Sequence, residues 1–297
     1  MRVVIMFTTL FSLPLGVPAD PDFYAHWADG QAELSSYDVL QTHYGESRRG
    51  HGVLVFVTED INRKTLIKVE SPQPAGDRLH VLKLNNVLKF TTGIYDYSIM
   101  TSMFSAVDGN GVDSPFQLKK VTFSSQEWCG HVYEDLRVGA DRLRGELSSY
   151  FEREGRQSYE LPLPEGEFVS EDHLLIQIRE LKGPFMDAGE VRAVQLLPSL
   201  WQLHSAHRPR GFVAATVTRG AAESFNLGDS TIAATPWTWE YEGVGRTVWT
   251  EGTYPHRILG WRDANGDRGD LIASIREPYW RLNQNGHEEF RRTLGIP

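Results

Sequence analysis

Apolar and polar residues alternate along most of this chain, which predicts a protein built mainly from β-strands. In residues 31–41, Ala32, Leu34 and Leu40 fall on one face of an extended chain. Residues 52–58 are apolar on both faces, which is typical of a strand in the middle of a sheet. Further segments with strand patterns are residues 63–70, 79–90, 93–107, 116–131, 143–153, 157–163, 211–218, 231–240, 246–251, 257–261 and 271–276. The pattern therefore predicts about a dozen strands separated by turns.

One segment has a clear helical pattern. Ser170 is a suitable N-cap, Glu171 and Asp172 complement the helix dipole, and Gly183 marks the predicted end. Residues 191–203 fit a strand or a helix equally well.

These elements predict a mainly β fold with some α structure. We expect a large curved antiparallel sheet, a half-barrel or barrel-like structure, with one or two helices packed on it. A short helix is also predicted for residues 286–294. Residues 20–297 are expected to form a single β-rich domain, in which residues 165–185 could join two β halves.

The N-terminus has the pattern of a secretory signal peptide. Arg2 is followed by an almost wholly apolar run over residues 3–17, and Val17 and Ala19 are small residues at the −3 and −1 positions of a cleavage site. The run is shorter than the roughly 20 residues that a membrane-spanning helix needs. We therefore expect residues 1–19 to be removed and the protein to be periplasmic or secreted.

The net charge argues against nucleic acid as a partner, and the cysteine count excludes an internal disulfide. The formal net charge is −9 and the isoelectric point about 5.6, so the chain repels phosphate backbones and nucleic acid is not an expected partner. We find no further apolar run of membrane length after the N-terminus, so no transmembrane segment is expected in the mature chain. Cys129 is the sole cysteine, which excludes an internal disulfide.

The segment around Cys129 concentrates the most reactive groups of the chain. If residues 121–131 are extended, Glu127, Cys129 and His131 share one face. The imidazole could then take the thiol proton, and the carboxylate could orient the imidazole, as in a thiol-dependent hydrolase or acyltransferase. The alternatives are a buried cysteine that lines the core or a pocket, and a redox role.

Aromatic residues form a second group of candidates for ligand binding. Trp237, Trp239 and Tyr241 lie at every second position and so share one face of a predicted strand. On an inner face they would line a core or an apolar pocket, and on an outer face they could stack on sugar rings. The same two interpretations apply to Tyr95 and Tyr97, and Trp128 is grouped with them as a ligand-binding candidate.

Two patterns resemble metal sites, but neither is complete. Asp263, Asn265, Asp267 and Asp270 have the alternating oxygen spacing of a calcium loop, yet the positions of its glycine and final glutamate hold other residues. Asn265 precedes a glycine, and this pair explains the segment as a hairpin turn.

His204 and His207 could share a helix face and bind a metal, although no carboxylate pattern accompanies them. The sequence therefore predicts no metal ion and no cofactor.

Four segments resemble an uncharacterised family of exported bacterial envelope proteins, some of which carry a septum formation inhibitor label. They are residues 32–37, 92–104, 124–131 and 258–261. No activity is implied by the resemblance. At the level of pattern, the chain also resembles curved half-barrels of the cell envelope that hold apolar ligands.

Together, these features favour a binding protein over an enzyme. The expected role is to bind or carry an apolar small molecule or lipid, or to assist envelope assembly. A thiol-dependent enzyme that uses Cys129 and His131 is the first alternative, and a carbohydrate-binding module is the second.

Overall fold

In the computed structural model, which describes residues 21–109 and 115–297, most residues lie in β-strands. The strands of the described residues are β1 Ala32–His43, β2 Glu46–Asn62, β3 Arg78–Thr92, β4 Tyr95–Ala106, β5 Gln117–Glu127, β6 Gly130–Val138, β7 Arg142–Ser149, β8 Arg156–Pro162, β9 Phe168–Ser170, β10 Val191–Leu197, β11 Val213–Arg219, β12 Glu223–Leu227, β13 Ser230–Tyr241, β14 Val244–Glu251, β15 Ile258–Asp263 and β16 Arg268–Glu277. The helices are α1 Pro21–Trp27, α2 Glu171–Gln177, α3 Leu200–Ser205 and α4 Glu289–Thr293. The prediction of a mainly β fold with few helices is confirmed.

The strands form one large sheet with two free edges. Strands β1 to β8 make an antiparallel meander in which each strand pairs with the next, and β1 also pairs with β16. From β16 the order continues through β15, β14, β13, β11 and β10 to β9, while β12 pairs with β13 alone. The β9–β10 pair is parallel, so the sheet is mixed rather than purely antiparallel. The sheet does not close, and β8 and β9 are its edges.

The sheet curves around α2 and α3. Both helices contact β4, and Glu171 at the start of α2 accepts hydrogen bonds from two side chains of β13. Six strands lie between β4 and β13 in the sheet, which would separate them by about 34 Å if the sheet were flat. Since the same short helices touch both strands, the sheet must wrap around them, and the main core lies on its concave side.

The strand predicted to be buried on both faces is confirmed in β2. Leu54 and Phe56 belong to the main core on the concave side. Val55 and Val57 face the other way and form a small cluster with Ala32. The apolar character of both faces thus follows from this position near the middle of the sheet.

One predicted strand is absent, and the predicted helix differs in length. Residues 63–70 do not form a strand, because the side chain of Asn62 accepts the backbone N–H groups of Lys64 and Thr65 at 3.0 Å and turns the chain. The predicted helix from Ser170 is also shorter than expected, since α2 ends at Gln177.

Residues 191–203, whose pattern fits a strand or a helix equally well, hold both a strand, β10, and the start of a helix, α3. In the described part of the chain, no helix is long and apolar enough to cross a membrane. Residues 1–19, the predicted signal peptide, lie outside the described residues.

Candidate functional site

A cavity lies on the concave side of the sheet, beneath α2 and α3. We call it the inner cavity, and its volume is about 70 Å³. Its apolar walls include Val39, Leu54, Leu88, Ile99, Leu175 and Val248, and its polar walls include Gln41, Asn86, Thr101, Glu171, Asp172 and Arg246. This volume exceeds the roughly 10–15 Å³ that a cavity needs in order to hold a water molecule.

A larger space adjoins the inner cavity beside α3. We call it the outer cavity, and its volume is about 380 Å³. Gln41, Trp201 and Arg246 line both spaces. These three side chains therefore form the wall between the inner and outer cavities.

Glu171 is the centre of the polar wall, because one carboxylate joins α2, α3 and β13. It accepts the backbone N–H of Ser199 at 3.0 Å and the side-chain amide of Gln202 at 3.2 Å. From β13 it accepts the indole N–H of Trp239 at 3.1 Å and the hydroxyl of Tyr241 at 2.7 Å. The residue is almost fully buried, so these donors replace the water that it loses on folding.

Asp172 follows Glu171 in α2, and its carboxylate contacts the start of α3. Its carboxylate accepts the backbone N–H of Leu200 at 3.0 Å. Burial raises the pKa of Asp172 to about 6, and the neighbouring charge of Glu171 adds to the shift, while the Leu200 N–H and Arg246 oppose it. A carboxyl group with such a pKa that faces a cavity is a recognised sign of a functional site.

Arg246 supplies the positive charge of this site. Its guanidinium forms two 2.6 Å hydrogen bonds to the carboxylate of Asp263, and it lies 3.8 Å from Glu171. Burial lowers the pKa of Arg246, but the charges of Asp263 and Glu171 outweigh burial and raise it overall. The guanidinium therefore stays charged at the wall between the two cavities.

Replacing Asp172 by asparagine should stabilise the protein increasingly as pH rises. The unfolded carboxyl group has a pKa near 3.8 and the folded one near 6, so the folded state holds the extra proton between these values. The contribution of Asp172 to stability is therefore intact below pH 4 and is lost as pH rises through 6, by up to about 3 kcal/mol. Urea unfolding of the wild type and Asp172→Asn at pH 4.5, 6 and 7.5 measures the difference.

The test uses the stability difference between the wild type and Asp172→Asn, rather than the stability of the wild type alone. The reason is that His173, next to Asp172, changes stability with pH in the opposite direction. Burial lowers the pKa of His173 to about 3, and its imidazole lies 2.8 Å from the hydroxyl of Ser105. His173 therefore reduces stability as pH falls below about 6.5, and both proteins share this term. A stability difference between the wild type and Asp172→Asn that is constant with pH would contradict the assignment.

The predicted aromatic stripe faces the interior of the fold. Trp237, Trp239 and Tyr241 are all buried, and the indole N–H of Trp237 donates to Thr250 at 3.1 Å. An exposed platform for sugar rings is therefore wrong for these residues. Trp239 and Tyr241 contribute to the site by holding the carboxylate of Glu171.

The segment around Cys129 is a hairpin, so the prediction of one continuous strand over residues 116–131 is wrong. Glu127 pairs with Gly130 at the ends of β5 and β6, and Cys129 lies in the turn between them. The Glu127 carboxylate accepts the backbone N–H of Cys129 at 2.6 Å and so favours the turn. His131 lies on the other strand of the hairpin and pairs with Gln126.

This geometry does not favour a thiolate. The Cys129 side chain is exposed, and the hydrogen bond and negative charge of Glu127 raise the pKa of its thiol. A nucleophilic cysteine needs the opposite shift.

The other predicted aromatic residues occupy two environments. Trp128 is 71% exposed in the hairpin turn, and Tyr95 lies beside it at 6.2 Å between ring centroids. Tyr97 is buried, stacks on Phe90 at 4.9 Å, and contacts Trp201 edge-on at 6.3 Å. Tyr97 thus supports the wall between the cavities, whereas Trp128 lies on the surface.

The predicted calcium spacing is explained by the β15–β16 hairpin. Gly266 has a φ of +93°, and its backbone N–H donates to Asp263. Arg246 pairs with the carboxylate of Asp263, while Gln41 and the backbone of Thr42 donate to Asp267. The carboxylate of Asp270 is likewise paired with arginines of the same hairpin.

The polar wall of the inner cavity was not predicted as a site. Glu171 and Asp172 fit the pattern of acidic residues at a helix N-terminus, and this role alone explains them in the sequence. An acidic pair beside a run of apolar residues could have suggested burial.

Comparisons with known proteins add nothing to this site, since no protein-family model, curated protein or solved structure matches the chain. The resemblance to exported bacterial proteins therefore stays a prediction.

Proposed function

We propose that the protein binds a small, mostly apolar molecule that carries one polar group, in the space of the inner and outer cavities. The observation that supports this function is a cavity whose wall combines apolar side chains with a buried carboxyl group and a guanidinium. Ligand sites are commonly mostly apolar, with a few polar groups that fix the orientation of the ligand.

The volumes of the two cavities limit which part of a ligand each could hold. The inner cavity, at about 70 Å³, is too small for a lipid chain, whereas the outer cavity measures about 380 Å³. Trp201 is half-buried and stands between them. Rotation of this side chain would join the spaces, so that the apolar part of a ligand reaches Leu88 and Ile99 while its polar group meets Asp172 or Arg246.

Binding is favoured over thiol chemistry by the positions of the candidate groups. Cys129 lies in an exposed hairpin turn with a raised thiol pKa, outside both cavities as their linings define them. The proposal also places the protein in the periplasm or outside the cell, on the basis of the signal-peptide pattern. Mass spectrometry of the exported protein should find Asp20 at the N-terminus, and retention of residues 1–19 would contradict that location.

Filling the inner cavity should prevent binding. The probe is N-phenyl-1-naphthylamine, an apolar amine whose fluorescence anisotropy reports binding when it is excited directly. Leu88→Trp places an indole ring in the cavity, and Ile94→Trp makes a comparable change at a side chain that is 82% exposed. We expect saturable binding to the wild type and to Ile94→Trp, and at least tenfold weaker binding to Leu88→Trp, equivalent to about 1.4 kcal/mol.

Circular dichroism and urea unfolding confirm that both variants are folded before binding is compared. Saturable binding that is equal in Leu88→Trp and the wild type would contradict the proposal, as would the absence of saturable binding to the wild type.

A further inference from the structure

We propose that Glu154, His204 and His207 form a binding site for one divalent transition-metal ion, with Zn²⁺ as the best fit. The three residues come from the β7–β8 turn and from α3 and the residues just after it. Their potential ligand atoms all lie within 4.8 Å of one another. Two imidazoles and a carboxylate are a donor set that zinc commonly takes, with water in the fourth position.

The distance between two of the ligands fits a tetrahedral site. Nδ1 of His204 lies 3.0 and 3.1 Å from the two carboxylate oxygens of Glu154. With zinc bonds of about 2.0–2.2 Å, neighbouring ligand atoms of a tetrahedron lie about 3.3–3.5 Å apart. The His204–Glu154 distance would therefore need to open by only a few tenths of an ångström, and the imidazole of His207, whose ligand atom lies within 4.8 Å of the other two, would complete the set.

Two of the three ligands are buried and the third is exposed, so the site can be reached from solvent. The side chains of Glu154 and His204 are 4% and 8% exposed, whereas His207 lies on the surface. Phe151 packs against both imidazoles, with ring centroids 5.9 Å from His204 and 6.2 Å from His207. Two ligands are thus held in place, and the third leaves a route for the ion and a bound water molecule.

The charged side chains around the site carry a net negative charge. Arg210 lies 3.4 Å from Glu154, but its guanidinium is bound more closely to the buried carboxylate of Glu134, at 2.7 Å. Two carboxylates and one guanidinium leave a net charge of −1, which favours a cation at this site.

The carboxylate of Glu154 is also held from the side of the β7–β8 turn, because the hydroxyl of Ser149 donates to it at 2.7 Å.

None of the three metal ligands lines either cavity, although their chain neighbours Leu203, Ser205, Ala206 and Arg208 line the outer one. The imidazole of His204 instead contacts Glu154 of the β7–β8 turn. The metal proposal therefore does not depend on ligand binding in the cavities.

The test is zinc titration of the protein purified without a histidine tag and stripped with a chelator. Isothermal titration calorimetry at pH 7.5 should show one Zn²⁺ per chain for the wild type. His207→Ala removes the exposed ligand with little risk to folding, and His131→Ala removes an exposed histidine elsewhere. We expect at least about tenfold weaker binding for His207→Ala and unchanged binding for His131→Ala.

Two further measurements separate a built site from surface binding. Zn²⁺ should raise the melting temperature of the wild type and of His131→Ala but have a much smaller effect on His207→Ala. Co²⁺ should give the visible absorption of a tetrahedral site in the wild type and lose it in His207→Ala. Equal zinc affinity in His207→Ala and the wild type, or no stoichiometric binding to the wild type, would overturn the proposal.

Discussion

Replacing Glu171 by leucine is expected to destabilise the protein by about 3–5 kcal/mol. The substitution removes the acceptor for four hydrogen bonds, three of which come from Ser199, Trp239 and Tyr241. All three donors are buried, and the N–H groups of Ser199 and Trp239 would be left without this acceptor, whereas the hydroxyl of Tyr241 keeps its contact with Gln202. Urea unfolding followed by tryptophan fluorescence at pH 7.5 measures the loss.

The same change at an exposed glutamate six residues earlier is the matched control. Glu165→Leu should alter the free energy of unfolding by less than about 0.5 kcal/mol. A loss below about 1 kcal/mol for Glu171→Leu would show that this carboxylate does not hold α2 and α3 against β13.

Arg179→Met is the second substitution with a large expected effect, again a loss of about 3–5 kcal/mol. The guanidinium of Arg179 is fully buried and donates to both carboxylate oxygens of Glu33, at 2.8 and 2.9 Å. It also donates to the carbonyl of Pro255 and lies over the ring of Phe56, 4.3 Å from its centroid. Methionine preserves much of the volume but leaves Glu33 buried without a counter-charge. Urea unfolding again measures the change.

A double variant distinguishes the lost ion pair from lost packing. Adding Glu33→Leu to Arg179→Met removes the unpaired carboxylate, so the double variant should be more stable than Arg179→Met alone. If the two losses simply add, the ion pair contributes no coupling and the explanation is wrong.

Local pattern was sufficient to predict most of the strands. The period of two in residues 31–41 and 231–240 corresponds to β1 and β13, and the apolar run at residues 52–58 lies in β2. These signals depend on neighbours in sequence, which is why they can be read from the chain. The turn after Asn62 was missed because a side chain, rather than a glycine or proline, makes it.

The curvature and the cavity could not be predicted because they depend on distant contacts. The hydrogen bond between Glu171 and Trp239 joins residues 68 positions apart, and the ion pair of Glu33 and Arg179 joins residues 146 positions apart. Neither pairing changes the local pattern of apolar and polar residues along the chain. In the same way, the carboxylate beside His204 and His207 is supplied by Glu154, which is 50 residues from His204.

The segment around Cys129 shows how a concentration of reactive residue types can mislead. A carboxylate, a thiol and an imidazole at alternating positions predict a shared face only if the chain stays extended. The turn at Trp128 and Cys129 places His131 on the next strand. The groups with a stronger claim to function, Glu171 and Asp172, look in the sequence like ordinary helix-terminal residues.

The central claim is that the concave side of the sheet holds a ligand site, and isoleucine methyl NMR tests it most directly. Ile99 lines the inner cavity, whereas Ile67 and Ile94 are exposed on the surface. With the isoleucine δ1-methyl groups labelled, bound N-phenyl-1-naphthylamine should give intermolecular nuclear Overhauser effects to Ile99. Effects to Ile67 or Ile94 with none to Ile99 would place the probe on the surface and contradict the account.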